Sequence, residues 1–179
     1  MNMGDMIGTV FKYGIVFSIP VCIVTIIVNL LIRRRKRIGT ATILYRCLFT
    51  AYCCFLLTAV FVGRPRVQGA MLIPFSSYYE AWITRSFIGW RNILINVAMF
   101  IPFGILLPIA WSKNIKLKKF ALIAGVATLS IEIVQYISKM GLFEVDDLIN
   151  NLIGALIGFL IWKCLFQNVV KGTNVKHTE

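Results

Sequence analysis

"IVFSIPVCIVTIIVNLLIRRRKR", residues Ile15 to Arg37, joins 18 uncharged and mostly apolar residues to five consecutive cations. At a rise of about 1.5 Å per residue, the apolar part is long enough as a helix to cross the ~30 Å hydrocarbon core of a bilayer. The basic run then stops it at a membrane surface. It does not read as a cleaved signal peptide, because it lacks a basic leader, exceeds a typical apolar core of such a peptide, and ends in a stop-transfer pattern.

The same pattern recurs. The 179 residues are 59% hydrophobic and their mean hydropathy is +0.82, whereas soluble domains average about 45–50% apolar. Five spans are expected, at Val10–Ile32, Ile43–Val62, Ile93–Trp111, Phe120–Ile137 and Leu148–Phe166. The expected fold is all-α, a polytopic membrane helix bundle. Residues 1–166 would form one membrane domain and 167–179 a cytoplasmic tail.

A net charge of +12 raises nucleic acid as a partner, but the cations lie in short runs beside apolar segments. That placement suits anionic headgroups and topology control, so membrane lipids are the expected partner and nucleic acid is not. Arg33, Arg34, Arg35, Lys36 and Arg37 follow the first span. Lys113, Lys116, Lys118 and Lys119 follow the third, and Lys163, Lys171 and Lys176 end or follow the fifth. The positive-inside tendency then places the N-terminus outside and the C-terminus inside the bacterial cytoplasmic membrane. Arg64, Arg66, Arg85 and Arg91 would lie outside, against that tendency, but the reverse orientation would translocate both of the larger basic runs. Arg46 is expected to snorkel to the inner interface.

The loop before the third span contains "SYYE", Ser77–Glu80, which reads as a capping box. Tyr79, Trp82, Ile83, Phe87 and Trp90 then recur at helical spacing, so a short interfacial helix is expected with its aromatic face toward lipid or the bundle. An aromatic belt on an irregular loop is the plainer alternative.

Four of the seven acids fall between Ser130 and Asn151. Glu132 lies roughly 9 Å inside the fourth span, with Gln135 on the same face. Asn151 lies one turn beneath Asp147 in the fifth span, and Asn96 enters the third span at a similar depth, about 7 Å from Arg91. A lone carboxylate in lipid costs on the order of 2.5–3.5 kcal/mol, so convergence of these groups, helped by the arginines Arg64 and Arg91, is expected. Gly154 and Gly158 form a GxxxG surface on the stripe of Asp147 and Asn151, suited to close helix packing. The plainer readings are that Asp146 and Asp147 cap the fifth helix and that Asn96 and Asn151 are interhelical glue. The five cysteines read as packing residues, and neither a metal nor another cofactor is expected.

"NVAMFIPFG" at Asn96–Gly104, "EIVQ" at Glu132–Gln135 and "GLFEVDDLINNLIGALIG" at Gly141–Gly158, preceded by "LIPF" at Leu72–Phe75, resemble the VanZ-like family of bacterial membrane proteins. The resemblance runs from about Leu72 to Trp162. The family's recurring positions fall on Pro74, Phe75, Asn96, Pro102, Gly104, Glu132, Gln135, Asp147, Asn151 and Gly154. Met71 stands where an asparagine is common and Glu144 where an aspartate is frequent. The resemblance implies a link to glycopeptide resistance, since the family's namesake raises resistance to teicoplanin, a lipid-tailed glycopeptide.

Three functions follow as expectations. The foremost is a non-enzymatic envelope factor whose outward polar site binds a lipid-tailed glycopeptide or a lipid-linked wall precursor. The second is an enzyme acting on a lipid or wall intermediate, with Glu132 as general acid or base and Asp147 orienting it. No nucleophile elbow, metal-spaced His/Cys set or phosphate loop supports it. The third is a small lipid transporter or flippase, disfavoured by the lack of internal repeats. The GxxxG surface leaves a homo-oligomer open.

Overall fold

A computed structural model of the chain describes residues 3–33, 39–62, 67, 69–111 and 114–175, excepting the side chains of 3, 4, 6, 7 and 166–175. Arg34, Arg35, Lys36, Arg37, Arg64, Arg66, Lys113, Lys176 and His177 lie outside the described residues.

Six helices account for nearly all of the described chain: α1 (Met3–Arg33), α2 (Thr40–Phe61), α3 (Ser76–Ile83), α4 (Phe87–Trp111), α5 (Leu117–Ser138) and α6 (Val145–Val175). All but α3 are long and apolar enough to cross a membrane, and the protein is a multi-pass membrane protein. Spanning helices are the expected outcome of these sequences, because a helix satisfies its own backbone polar groups where no water can. Two short strands, β1 (Ala70–Met71) and β2 (Phe143–Glu144), pair in parallel, Ala70 opposite Phe143 and Met71 opposite Glu144.

α4 and α6 form the centre of the bundle and make its most extensive contact. α2 packs on α4 and carries α1 on its far side, while α5 packs on α6. The core is built from Phe49, Leu56 and Val60 of α2, Phe100 and Phe103 of α4, Phe120 and Ala124 of α5, and Phe159 and Trp162 of α6. Much of α1 presents Ile, Val, Leu and Phe outward, as a helix facing hydrocarbon does.

The ends of the bundle differ. β1, α3, β2 and the starts of α4 and α6 gather at one end, hereafter the loop end. The described acids Asp5, Glu80, Glu132, Glu144, Asp146 and Asp147 all lie at or near it. Arg33, Lys116, Lys118 and Lys119 lie at the opposite end.

Several expectations are corrected. The fifth span, expected at Leu148–Phe166, falls at Val145–Leu165, and the helix itself continues to Val175. Ser77 does not cap α3: Phe75, in the left-handed region at φ 64°, holds the N-cap position, and the helix has no side-chain cap of its own. The aromatic stripe is not one helix. Arg85, at φ 48°, breaks it between α3 and α4. Tyr79, Trp82 and Phe87 are exposed, while Trp90 packs edge-on against Tyr78.

Arg46 reaches toward the end of α4 opposite the loop end. Its Nε donates to the Ala110 carbonyl at 3.1 Å, its Nη1 donates to the Asn29 side chain, and its guanidinium lies 5.7 Å from the Trp111 ring centre. The carbonyls of the last turn of α4 have no partner within that helix, so an arginine reaching across from α2 satisfies one of them.

Candidate functional site

The site begins with glycine. A Cβ built on Gly154 would lie 2.0 Å from the Val97 carbonyl oxygen, and one on Gly158 would lie 2.0 Å from that of Ile101. From the α4 side, a Cβ on Gly104 would meet the Ala155 oxygen at 2.1 Å. α4 and α6 therefore run backbone against backbone in a fixed register, the close approach that small residues permit between membrane helices.

That register places Asn96 beside Asp147, one turn nearer the loop end, and the Asn96 Nδ2 donates to the Asp147 Oδ1 at 2.5 Å. One turn along α6, Asn151 turns to the other neighbour and donates to the Thr128 hydroxyl of α5 at 2.9 Å. Asn151 and Thr128 are both buried. α6 is thus held to α4 and to α5 by polar pairs on successive turns.

Glu132, one turn from Thr128 toward the loop end, is only 1% exposed. Its Oε2 accepts the backbone N–H of Glu144 at 3.1 Å, tying α5 to the strand that leads into α6. Gln135, equally buried, diverges from it. Its Nε2 points at the Val60 carbonyl of α2 at 3.4 Å, and its side chain lies under Gly141. The Gly141 Cα accordingly carries a φ of 152°, which an L side chain rarely adopts.

Three residues at the loop end go beyond the sequence-based expectations. The Asp146 carboxylate accepts N–H groups from Phe75 at 2.5 Å and Ser77 at 2.7 Å. It caps α3 from another part of the chain and is 2% exposed. Asn150, one turn on, accepts the Tyr78 hydroxyl. Burial, and then the Asp146 charge, push the Tyr78 phenol above its ordinary value. α3 is therefore fastened across the start of α6 by two polar side chains on one face, Asp146 and Asn150, beside the β1–β2 pair.

Arg91 is half-buried on α4, about 7 Å along the axis from Asn96. Its Nη2 reaches Asn92 at 3.4 Å, and its Nε is buried without a partner. Arg64 lies outside the described residues. Among the described residues no cluster of three His, Cys, Asp or Glu side chains is placed to hold a metal ion.

The arrangement thus contains hydrogen-bond donors and acceptors from α3, α4, α5 and α6, most of them already engaged with one another. Thr128 and Asn150 were the partners least visible beforehand. A threonine inside an apolar run and the first of two adjacent asparagines carry no periodic signal that marks them as polar contacts.

The family model described as VanZ/LLP1 matches residues 42–167. A curated relative, Protein VanZ of Enterococcus faecium, is 30% identical over 111 residues, which cover 60% of this chain and 68% of that protein. No solved structure matches the chain. The matched region contains α2 to α6 up to its last turns, with every polar contact just described, and on this match the chain belongs to the VanZ/LLP1 family.

Proposed function

We propose that the protein is a cell-envelope factor that lowers susceptibility to glycopeptides, lipid-tailed ones above all, and that it does so without catalysing a reaction. In this reading the loop end faces outward in the bacterial cytoplasmic membrane, and its polar residues meet the headgroup of an amphiphile. The observation that carries it is the Asn96–Asp147 pair. It sits at the head of a bundle whose described acids gather at one end, where α3 and the start of α4 expose Tyr79, Trp82 and Phe87.

Family membership supports the resistance theme, and the shallow position of the polar residues supports an amphiphile over a water-soluble ligand. A ligand with an acyl tail concentrates in the leaflet at the depth where Asn96, Glu132 and Asp147 lie. The basic groups at the opposite end support the orientation, because such groups favour the cytoplasmic side.

The test is expression in a glycopeptide-sensitive Gram-positive host. Inhibitory concentrations of a lipid-tailed glycopeptide and of a tail-less one are measured for wild type, Asp147→Asn and Glu132→Gln at matched membrane levels. Wild type should protect more strongly against the tailed drug, and Asp147→Asn should lose most of that protection. Equal protection against both drugs, or full protection by both variants, overturns the reading.

A further inference from the structure

α2 and α5 are neighbours that barely meet. α2 packs on α1 and α4, and α5 packs on α6 and β2. Among the described residues, a hydrogen bond joins them from Gln135 to the Val60 carbonyl near the loop end. Beyond that strut, toward the middle of the bundle, the gap becomes a cleft of about 410 Å³ with α4 as its floor. Cys53 and Leu56 form one wall, Phe103 the floor, and Ala127, Ile131 and Val134 the other wall.

Water is a poor occupant. A buried water needs two to four polar partners, and the wall is almost wholly hydrocarbon. Its one hydroxyl, that of Ser130, already donates to the Val126 carbonyl at 2.7 Å. Left empty, the walls forfeit the dispersion contacts that a dense interior provides.

A protein helix is a poor occupant too. The Gln135–Val60 contact closes the cleft at the loop end, so a spanning helix about 10 Å across has no path along its length. A slender hydrocarbon chain fits where a helix does not. The rim residues Leu57 and Val134 are about half exposed, so the cleft opens sideways between two helices of membrane-spanning length. What lies outside that opening is hydrocarbon. The α5 wall lies roughly 6 to 17 Å inside the loop end, a depth that acyl chains occupy and headgroups do not.

We propose that the α2–α4–α5 cleft is a binding site for one fatty-acyl chain of a bilayer phospholipid, entered laterally beneath the Gln135–Val60 strut. The headgroup stays at the loop end, and the chain completes the packing that α2 and α5 leave open. On α5 the polar residues Thr128, Glu132 and Gln135 lie on a face about 100° round from the cleft wall, so the tail site and the polar cluster are separate surfaces of one helix. The inference does not depend on the resistance reading.

The test uses the full chain in nanodiscs containing a phosphatidylcholine with a photoactivatable diazirine in mid-chain, with adducts mapped by mass spectrometry after illumination. Cys53, Leu56, Phe103 and Ile131 should carry adducts at a level above that of the lipid face of α1, at Phe17, Ile23 and Val24. Filling the cleft by Ala127→Phe should reduce the cleft adducts severalfold and leave the α1 adducts unchanged. Ser130→Phe, at the edge of the same cleft, provides a second filled variant if Ala127→Phe does not fold. Cleft labelling no greater than that of α1, cleft labelling unchanged in the filled variants, or cross-links to a second copy of the chain in place of lipid adducts would overturn the proposal. None of these outcomes depends on drug susceptibility, so the resistance reading stands or falls separately.

Discussion

The Asp146 Oδ2 accepts the Ser77 N–H at 2.7 Å across 69 residues of sequence. The first turn of one spanning helix thereby supplies the N-terminal cap of a short helix in a distant loop. α3 has only eight residues, too few to be stable alone in water. It is held by this carboxylate, by the Tyr78–Asn150 contact one turn further along α6 and by the buried Ala81 against the start of α4.

Asp146→Ala should therefore melt α3 while leaving the spanning helices in place. It removes a buried acceptor from two backbone N–H groups, at a cost of about 1–3 kcal/mol for groups left unsatisfied. Hydrogen exchange of residues 76–83 should rise strongly, with little change in α4 or α6. Asp146→Asn keeps one acceptor oxygen and should fall between the two. Unchanged exchange in α3 of Asp146→Ala would show that the cap is dispensable.

Gly154→Ala and Gly158→Ala should separate α4 from α6. The added Cβ would fall 2.0 Å from a backbone carbonyl oxygen in each case, and backbone cannot swing aside as a side chain can. The penalty should exceed the about 1–3 kcal/mol of ordinary core overpacking. Gly125→Ala is the matched control, because nothing lies within 4 Å of its added Cβ. Thermal stability in detergent should drop sharply for the first two and hold for the third. Equal effects at all three positions would remove the register argument.

The architecture was largely legible in the sequence because long apolar runs in a membrane admit few solutions. Gly154 and Gly158 were legible for a related reason: small residues four apart on the polar stripe have one common use between membrane helices. The partners of the polar residues were not legible in the same way. Asp146 in the first turn of α6 reads as a cap for its own helix, and only the tertiary fold brings Phe75 and Ser77 to it. Arg46 near a helix end reads as snorkelling, and sequence cannot show that its partners are Asn29 and a final carbonyl of α4. Glu132 and Gln135, three residues apart on α5, share a face by periodicity, yet one turns to β2 and the other to α2, a divergence set by side-chain direction and invisible to periodicity.

The Asn96–Asp147 hydrogen bond should be measurable as an energetic coupling. A double-mutant cycle with Asn96→Ala and Asp147→Ala isolates the pair from the separate losses of each side chain. Polar contacts between membrane helices average about 0.6 kcal/mol and reach about 1.7. A carboxylate acceptor at 2.5 Å places this pair toward the upper part of that range. The Asn151–Thr128 cycle, between two neutral side chains at 2.9 Å, should give the smaller value. A coupling indistinguishable from zero for Asn96–Asp147 would mean that the two side chains act independently.

Tyr78 should make stability fall at high pH with a sign that follows from its surroundings. Burial, and then the negative charge of Asp146, raise its phenol above the ordinary value of 10.0, so the folded protein holds that proton more tightly than the unfolded chain. A group of this kind contributes stability that is fully present below the unfolded value and disappears as pH rises through the folded one. Once ionised, the phenolate also has no proton to donate to Asn150, and it faces the Asp146 charge directly. The wild-type thermal midpoint should therefore decline above about pH 10, the ordinary tyrosine value, by more than that of Tyr78→Phe, which has no proton to lose there. At neutral pH the order reverses: Tyr78→Phe should be the less stable protein, because Asn150 loses its donor. Parallel pH profiles for the two proteins would show that Tyr78 ionises without reference to Asp146, and that the hold of α3 on α6 rests on the carboxylate cap alone.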